Sequence, residues 1–180
     1  KSSLIDTKKE INFVFNGKKY KGFKGDTLGS ALLANNVKLI GRSFKYHRPR
    51  GIISHGSEEP NGLVELINDH YNEPNTKITT LELYEGLKAK SQNCWPSVKY
   101  DLMSINDKLS NFISAGFYYK TFMWPSSFWE KIYEPIIRKA AGLGSLSLSN
   151  SGRNSEKGFL HCDVLIIGSG PSGLVSAYIA

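Results

Sequence analysis

The sequence predicts an α+β fold that opens on a β-hairpin and a helix and ends on a strand, a glycine-rich turn and another helix. Two observations carry this prediction. Asn16-Gly17 stands between the runs Ile11–Phe15 and Tyr20–Phe23, and Asn-Gly is a strong hairpin signal because both central residues take φ > 0. Gly168-Ser-Gly-Pro-Ser-Gly173 directly follows the apolar run Cys162–Ile167, the order of a buried strand feeding a phosphate-binding turn.

The elements between follow in order. Lys18 and Lys19 open the second hairpin run, and Gly25-Asp26-Thr27 supplies a turn and an N-cap. Leu28, Ala31, Leu32 and Ala34 then recur at helical spacing, with Asn35-Asn36 ending the run. Residues 41–56 are basic, contain Pro49 and read as a loop. Strands are expected over Leu63–Ile67 and Lys77–Tyr84, with a further candidate at 87–90, so a mixed sheet holding one helix is complete by about residue 100. Residues 112–133 hold nine of the chain's aromatic side chains, from Phe112 to Tyr133. Pro125 and Gly116 argue against one regular helix there, which leaves a satellite core or a surface covered by another chain or domain. Residues 143–158, rich in Ser and Gly, read as a linker.

Composition narrows the function classes. The chain of 180 residues is 40% hydrophobic and 22% charged, ordinary for a globular protein, and no apolar run approaches the ~18 residues of a membrane span. With no signal-like opening and only Cys94 and Cys162 as thiols, a cytoplasmic location is expected. The chain begins at Lys1 and stops at Ala180 inside an apolar segment, which reads as a piece of a longer protein. The net charge of +7 concentrates in residues 1–50, with twelve Lys and Arg against Asp6, Glu10 and Asp26.

Within that basic third, Arg42, Lys45, His47, Arg48 and Arg50 form the densest cluster. Three readings stay open: a clamp on a cofactor phosphate or an acidic neighbouring subunit, a solvated loop, and nucleic-acid binding, for which only Phe44 and Tyr46 supply aromatics. The histidines (His47, His55, His70, His161) show no metal-ligand spacing, so no metal is assigned. Ser169 and Ser172 do not stand at the centre of a G-x-S-x-G elbow, so no catalytic residue is assigned. The candidate site is the turn itself, Gly168, Ser169, Gly170, Pro171, Ser172 and Gly173. There the glycines allow a tight turn, close backbone approach to a pyrophosphate and helix packing.

A set of longer motifs adds a family resemblance. Gly25-Asp-Thr-Leu28, the Gly41–Gly51 Arg/His run, Glu59-Pro-Asn61, Ser91-Gln-Asn93 with Trp95-Pro96, the Gly116–Pro125 aromatic run and Gly168–Gly173 occur in that order. Together they resemble the N-terminal part of the α subunits of heterotetrameric sarcosine oxidases; hydrogen cyanide synthase and opine or proline dehydrogenase α subunits share the architecture. The resemblance implies a ferredoxin-like β-grasp domain over 1–100, a connecting or interface segment over 101–142, a linker over 143–160, and the start of a Rossmann-type NAD-binding module over 161–180. It also implies β, γ and δ subunit partners, with FAD and FMN on or against the β subunit. One-carbon transfer to tetrahydrofolate would occur in a region outside this chain. Nucleic acid and membrane are not expected partners. The alternatives are a non-catalytic adaptor of β-grasp fold and the α subunit of a related amine or opine dehydrogenase.

The same resemblance places Ser54, Glu59 and Gly62 where three loop thiolates of a [2Fe-2S] ferredoxin stand, with Cys94 near the fourth. One thiol does not hold two irons. The expectation is therefore a domain with no iron–sulfur cluster.

Overall fold

In the computed structural model, residues 4–69, 71–111, 116, 124–141, 144 and 157–180 are described. Strands β1 (Asp6–Phe15) and β2 (Lys18–Lys24) form the expected antiparallel hairpin, with φ of 51° at Asn16 and 76° at Gly17. The strand β1 begins five residues before the predicted run. Its alternation turns Phe13 and Phe15 into the core, and Phe13 stacks on Tyr20 with ring centroids 5.7 Å apart.

Helix α1 (Leu28–Ala34) follows as expected. Thr27 Oγ1 accepts from the Ser30 amide at 3.1 Å, and Ser30 Oγ accepts from the Thr27 amide at 3.0 Å, a reciprocal capping box. Leu28, Ala31 and Leu32 share the face that packs on the sheet, and all are fully buried.

Two short strands, β3 (Gly41–Arg42) and β4 (Pro49–Arg50), pair antiparallel across the basic loop. Strand β5 (Leu63–Ile67) lies where it was predicted, followed by β6 (Asn72–Lys77) and β7 (Lys88–Ser91). The five-stranded sheet has the order β2-β1-β7-β5-β6, with β1 and β7 parallel and the other neighbours antiparallel. Sheet and helix enclose one core that includes Phe13, Phe15, Leu32, Ile40, Val64, Ile78 and Leu87.

The expected strand over Lys77–Tyr84 is corrected: the strand is β6, which ends at Lys77. Residues beyond it bond to the start of α1 instead of a ladder. The Leu28 amide donates to Leu81 O at 2.9 Å, the Gly29 amide to Ile78 O at 2.8 Å, and the Leu83 amide to Asp26 O at 2.8 Å. Ile78 and Leu83 still reach the core, so apolar patterning located the burial and missed the backbone partner.

Past the sheet, a π-helical turn over Trp129–Tyr133 continues into an α-helix over Glu134–Ala141. Most of the Gly116–Pro125 aromatic run and of the 143–158 linker lies outside the described residues. The described rings Trp124 and Phe128 are exposed. The expected strand Cys162–Ile167 is likewise not formed: among the described residues no strand lies beside it, and Val164, Leu165 and Ile167 stay largely exposed. A strand needs a neighbour for its backbone groups. The helix after the glycine-rich turn is present over Pro171–Ile179, with Pro171 in its first turn.

Candidate functional site

The basic loop is held from within. Arg42 donates from Nε to Val98 O at 2.8 Å, from Nη1 to His47 O at 3.0 Å and from Nη2 to Lys99 O at 3.2 Å. All three guanidinium nitrogens thus bind backbone carbonyls. His47 takes a left-handed φ of 53°, which turns its ring inward, and it is 2% exposed. Its Nδ1 lies 2.6 Å from Asp101 Oδ2, while Asp101 Oδ1 accepts from the Trp95 amide at 3.0 Å and the Met103 amide at 3.2 Å.

The remaining cations sit farther out. Arg48 pairs with Asp107 at 2.6 Å, and both Arg48 and Lys45 stand over the Tyr46 ring at 4.8 Å. Arg50 lines a cavity of about 230 Å³ together with Arg42, Phe44, Asn61 and Asn93. The five basic residues therefore divide. Arg42 and His47 fasten the loop to residues 93–101, and Lys45, Arg48 and Arg50 face outward. Asp101 was not singled out in the sequence; its signal was its place just ahead of the Leu102–Ser104 turn, whose Met103 amide it caps.

Cys94 lies beside this brace. Burial pushes its thiol up, the Asp101 carboxylate adds to the rise, and Arg42 opposes it. Cys162 is far along the chain and exposed.

Glu59 is the second buried acid that sequence reading underrated. It is fully buried, and its Oε2 accepts from the Ile53 amide at 2.7 Å and the Ser54 amide at 2.6 Å. Its Oε1 accepts from the Asn61 amide at 2.7 Å. Burial raises the cost of ionising it. The amides of Ser54, Asn61, Ile53 and Gly62 outweigh that cost and hold the carboxyl below its ordinary value.

Gly168 has φ of 108°, a region that disfavours side chains. A Cβ on Gly173 would collide with the Gly168 carbonyl oxygen, so helix and incoming chain approach as only glycine permits. Gly170 is the N-cap, without a capping side chain, and the first turn holds no acid. Among the described residues no side chain caps this helix start, and the Leu174 amide bonds to Gly170 O at 3.0 Å. Among the described residues, no group of three or more His, Cys, Asp or Glu converges as a metal site, and no helix is long and apolar enough to cross a membrane.

With this geometry in place, similarity to known proteins becomes informative. The subunit alpha of sarcosine oxidase from Rhizobium meliloti (strain 1021) is 54% identical over 180 residues, covering 100% of this chain and 18% of that protein. The chain resembles sarcosine oxidase subunit alpha along its whole length. The subunit of the same name from Corynebacterium sp. (strain U-96) is 28% identical over 176 residues, covering 96% of this chain and 13% of that protein. The chain thus spans less than a fifth of the length of these sarcosine oxidase subunits. A crystal structure of L-proline dehydrogenase from P. horikoshii aligns at 25% identity and a TM-score of 0.39, covering 47% of this chain and 16% of that one.

Residues 8–94 match the family model of a 2Fe-2S iron-sulfur cluster binding domain. This overturns the expectation of a domain with no iron–sulfur cluster: the matched family is a cluster-binding one, and the ferredoxin-like α+β fold agrees with it. The donors in the span remain a separate question. Cys94 is the one cysteine between residues 8 and 94, against the four thiolates such a cluster takes, and Glu59 is already bound by backbone amides. These residues do not fit the group.

Proposed function

We propose that this chain is part of the α subunit of a heterotetrameric sarcosine oxidase, an oxidoreductase that demethylates sarcosine oxidatively and passes the one-carbon unit to tetrahydrofolate. The observation that carries the reading is the 54% identity along every residue of the chain. In this proposal residues 1–100 are the ferredoxin-like β-grasp domain, 101–142 the connecting segment, 143–160 the linker and 161–180 the start of a Rossmann-type module. Partner β, γ and δ subunits complete the enzyme. Flavin on and against the β subunit supplies the amine oxidation when bound, so none of residues 1–180 is assigned a catalytic role.

What this chain contributes is binding and positioning. Gly168, Ser169, Gly170, Pro171, Ser172 and Gly173 form the turn that receives the NAD pyrophosphate. Its supports are the start of the Pro171–Ile179 helix, which no side chain caps, and the glycine-only approach of Gly173 to Gly168. The NAD ribose contact falls beyond Ala180, because it stands ~20 residues past the glycines in such folds. The outward Lys45, Arg48 and Arg50 provide the cationic face toward an acidic neighbouring subunit, with Arg42 and His47 fixing its shape.

Oxygen uptake by the intact protein, co-expressed with its partner subunits, tests the proposal. Sarcosine-dependent consumption of oxygen is expected, with NAD retained through purification. An assembled complex that oxidises no N-methyl amine overturns the reading.

A further inference from the structure

The loop between β4 and β5 carries a buried charge without a counter-ion. Among the described residues, no Lys, Arg or His pairs with Glu59. The nearby Lys77 Nζ donates instead to Ser57 O at 2.6 Å. An uncompensated carboxylate at full burial is strongly unfavourable unless hydrogen bonds replace its water. Here they do, because amides from both arms of the loop converge on its two oxygens.

Several features show that the loop is shaped around this group. Ile53 and Ser54 bring two successive amides to one oxygen, the geometry of a backbone nest for anions. Asn61 closes on the other oxygen from across the Glu59-Pro60-Asn61 turn. A Cβ on Gly62 would stand 2.9 Å from Ile78 Cγ1 and 3.1 Å from Glu59 Cγ, so glycine is what leaves room for the side chain. The outer wall is fastened separately, with Thr79 Oγ1 donating to Gly56 O at 2.6 Å. Ser54, Glu59 and Gly62 are also the residues placed at the three loop thiolate positions. In the fold they meet as two amide donors and the carboxylate that receives them.

We propose that residues 53–62 form a backbone anion receptor whose ligand is the chain's own Glu59 carboxylate, and that the receptor accepts a small external carboxylate once that side chain is removed. The ligand class follows from the donors. They are neutral amides, arranged for two oxygens about one carbon, in a space the size of a carboxyl group. Glu59 thus acts as a tethered ligand that keeps the β4–β5 loop closed.

Hydrogen–deuterium exchange on the intact protein tests this locally. In the native chain, peptides covering 52–62 are expected to be protected like the neighbouring β5. Glu59→Ala should speed their exchange by about tenfold or more, as a locally opened segment does. Acetate should restore protection where sodium chloride of equal ionic strength does not. Glu59→Gln should also lose protection but gain nothing from acetate, because its side chain still fills the space. Rapid exchange of 52–62 in the native protein overturns the proposal, even if Glu59→Ala fails to fold. So does unaltered protection in Glu59→Ala, or acetate acting no better than chloride.

Discussion

His47 Nδ1 and Asp101 Oδ2 lie 2.6 Å apart with both side chains out of solvent, joining two segments 54 positions apart in the chain. The contact explains why the densest basic run is an ordered loop. The left-handed backbone at His47 points the ring inward, Asp101 receives it, and Arg42 ties the same two segments through carbonyls of 98 and 99. Removing one partner of a buried hydrogen bond strands the other, at a cost of about 1–3 kcal/mol. His47→Ala and Asp101→Asn should each lower stability by that amount in denaturant titrations. The double variant should cost clearly less than the two together; strict additivity would show that the pair is not coupled.

Glu59 gives the fold a pH dependence of defined sign. Its carboxyl is held below its ordinary value in the folded chain. Its contribution is therefore complete above the unfolded-state value and is lost as pH falls through the lower, folded-state one. Stability followed from pH 7 into the acid range should begin to decline at the usual carboxylate range and continue down to the lower, folded-state value. Glu59→Gln should be less stable near neutrality by about 1–3 kcal/mol, since an amide group cannot satisfy all the converging N–H donors. It should also have a shallower acid limb. An acid limb unchanged in Glu59→Gln would show that the native dependence arises elsewhere.

Local chemistry was legible and distant chemistry was not. The Asn16-Gly17 hairpin and the Thr27 cap are decided by residues within a few positions of one another, and both stand as read. The segment after Lys77 was misread because its hydrogen bonds go to Leu28 and Gly29, some fifty positions earlier. Cys162–Ile167 has strand composition, but composition does not supply a neighbouring strand. The same division runs through the candidate site. Arg42 and His47 stood out by charge, whereas the tie from Asp101 to His47 spans 54 positions and no local pattern reveals it.

Cys94 should be a slow nucleophile. Burial raises its thiol above the ordinary value, and the nearby Asp101 carboxylate adds to this. The thiolate is the reactive form. At neutral pH, Cys94 should therefore react with a maleimide more slowly than free cysteine, because the upward shift lowers its thiolate fraction. Peptide mass mapping over a time course measures the rate. Labelling of Cys94 as fast as free cysteine would contradict the assigned environment.

Gly173→Ala tests the turn most directly, because the position demands glycine through a backbone collision. The added Cβ meets the Gly168 carbonyl oxygen, and one of the two backbones has to move. Either the helix start tilts or the turn opens. In both cases the amides at the start of the helix lose their common direction. In the intact protein, NAD affinity should fall by about tenfold or more, or roughly 1.4 kcal/mol. Ser176→Ala, one helical turn further on and outside the proposed contacts, should bind as the native protein does. Unaltered NAD affinity in Gly173→Ala, measured by calorimetry beside the Ser176 variant, would remove the turn from the dinucleotide site.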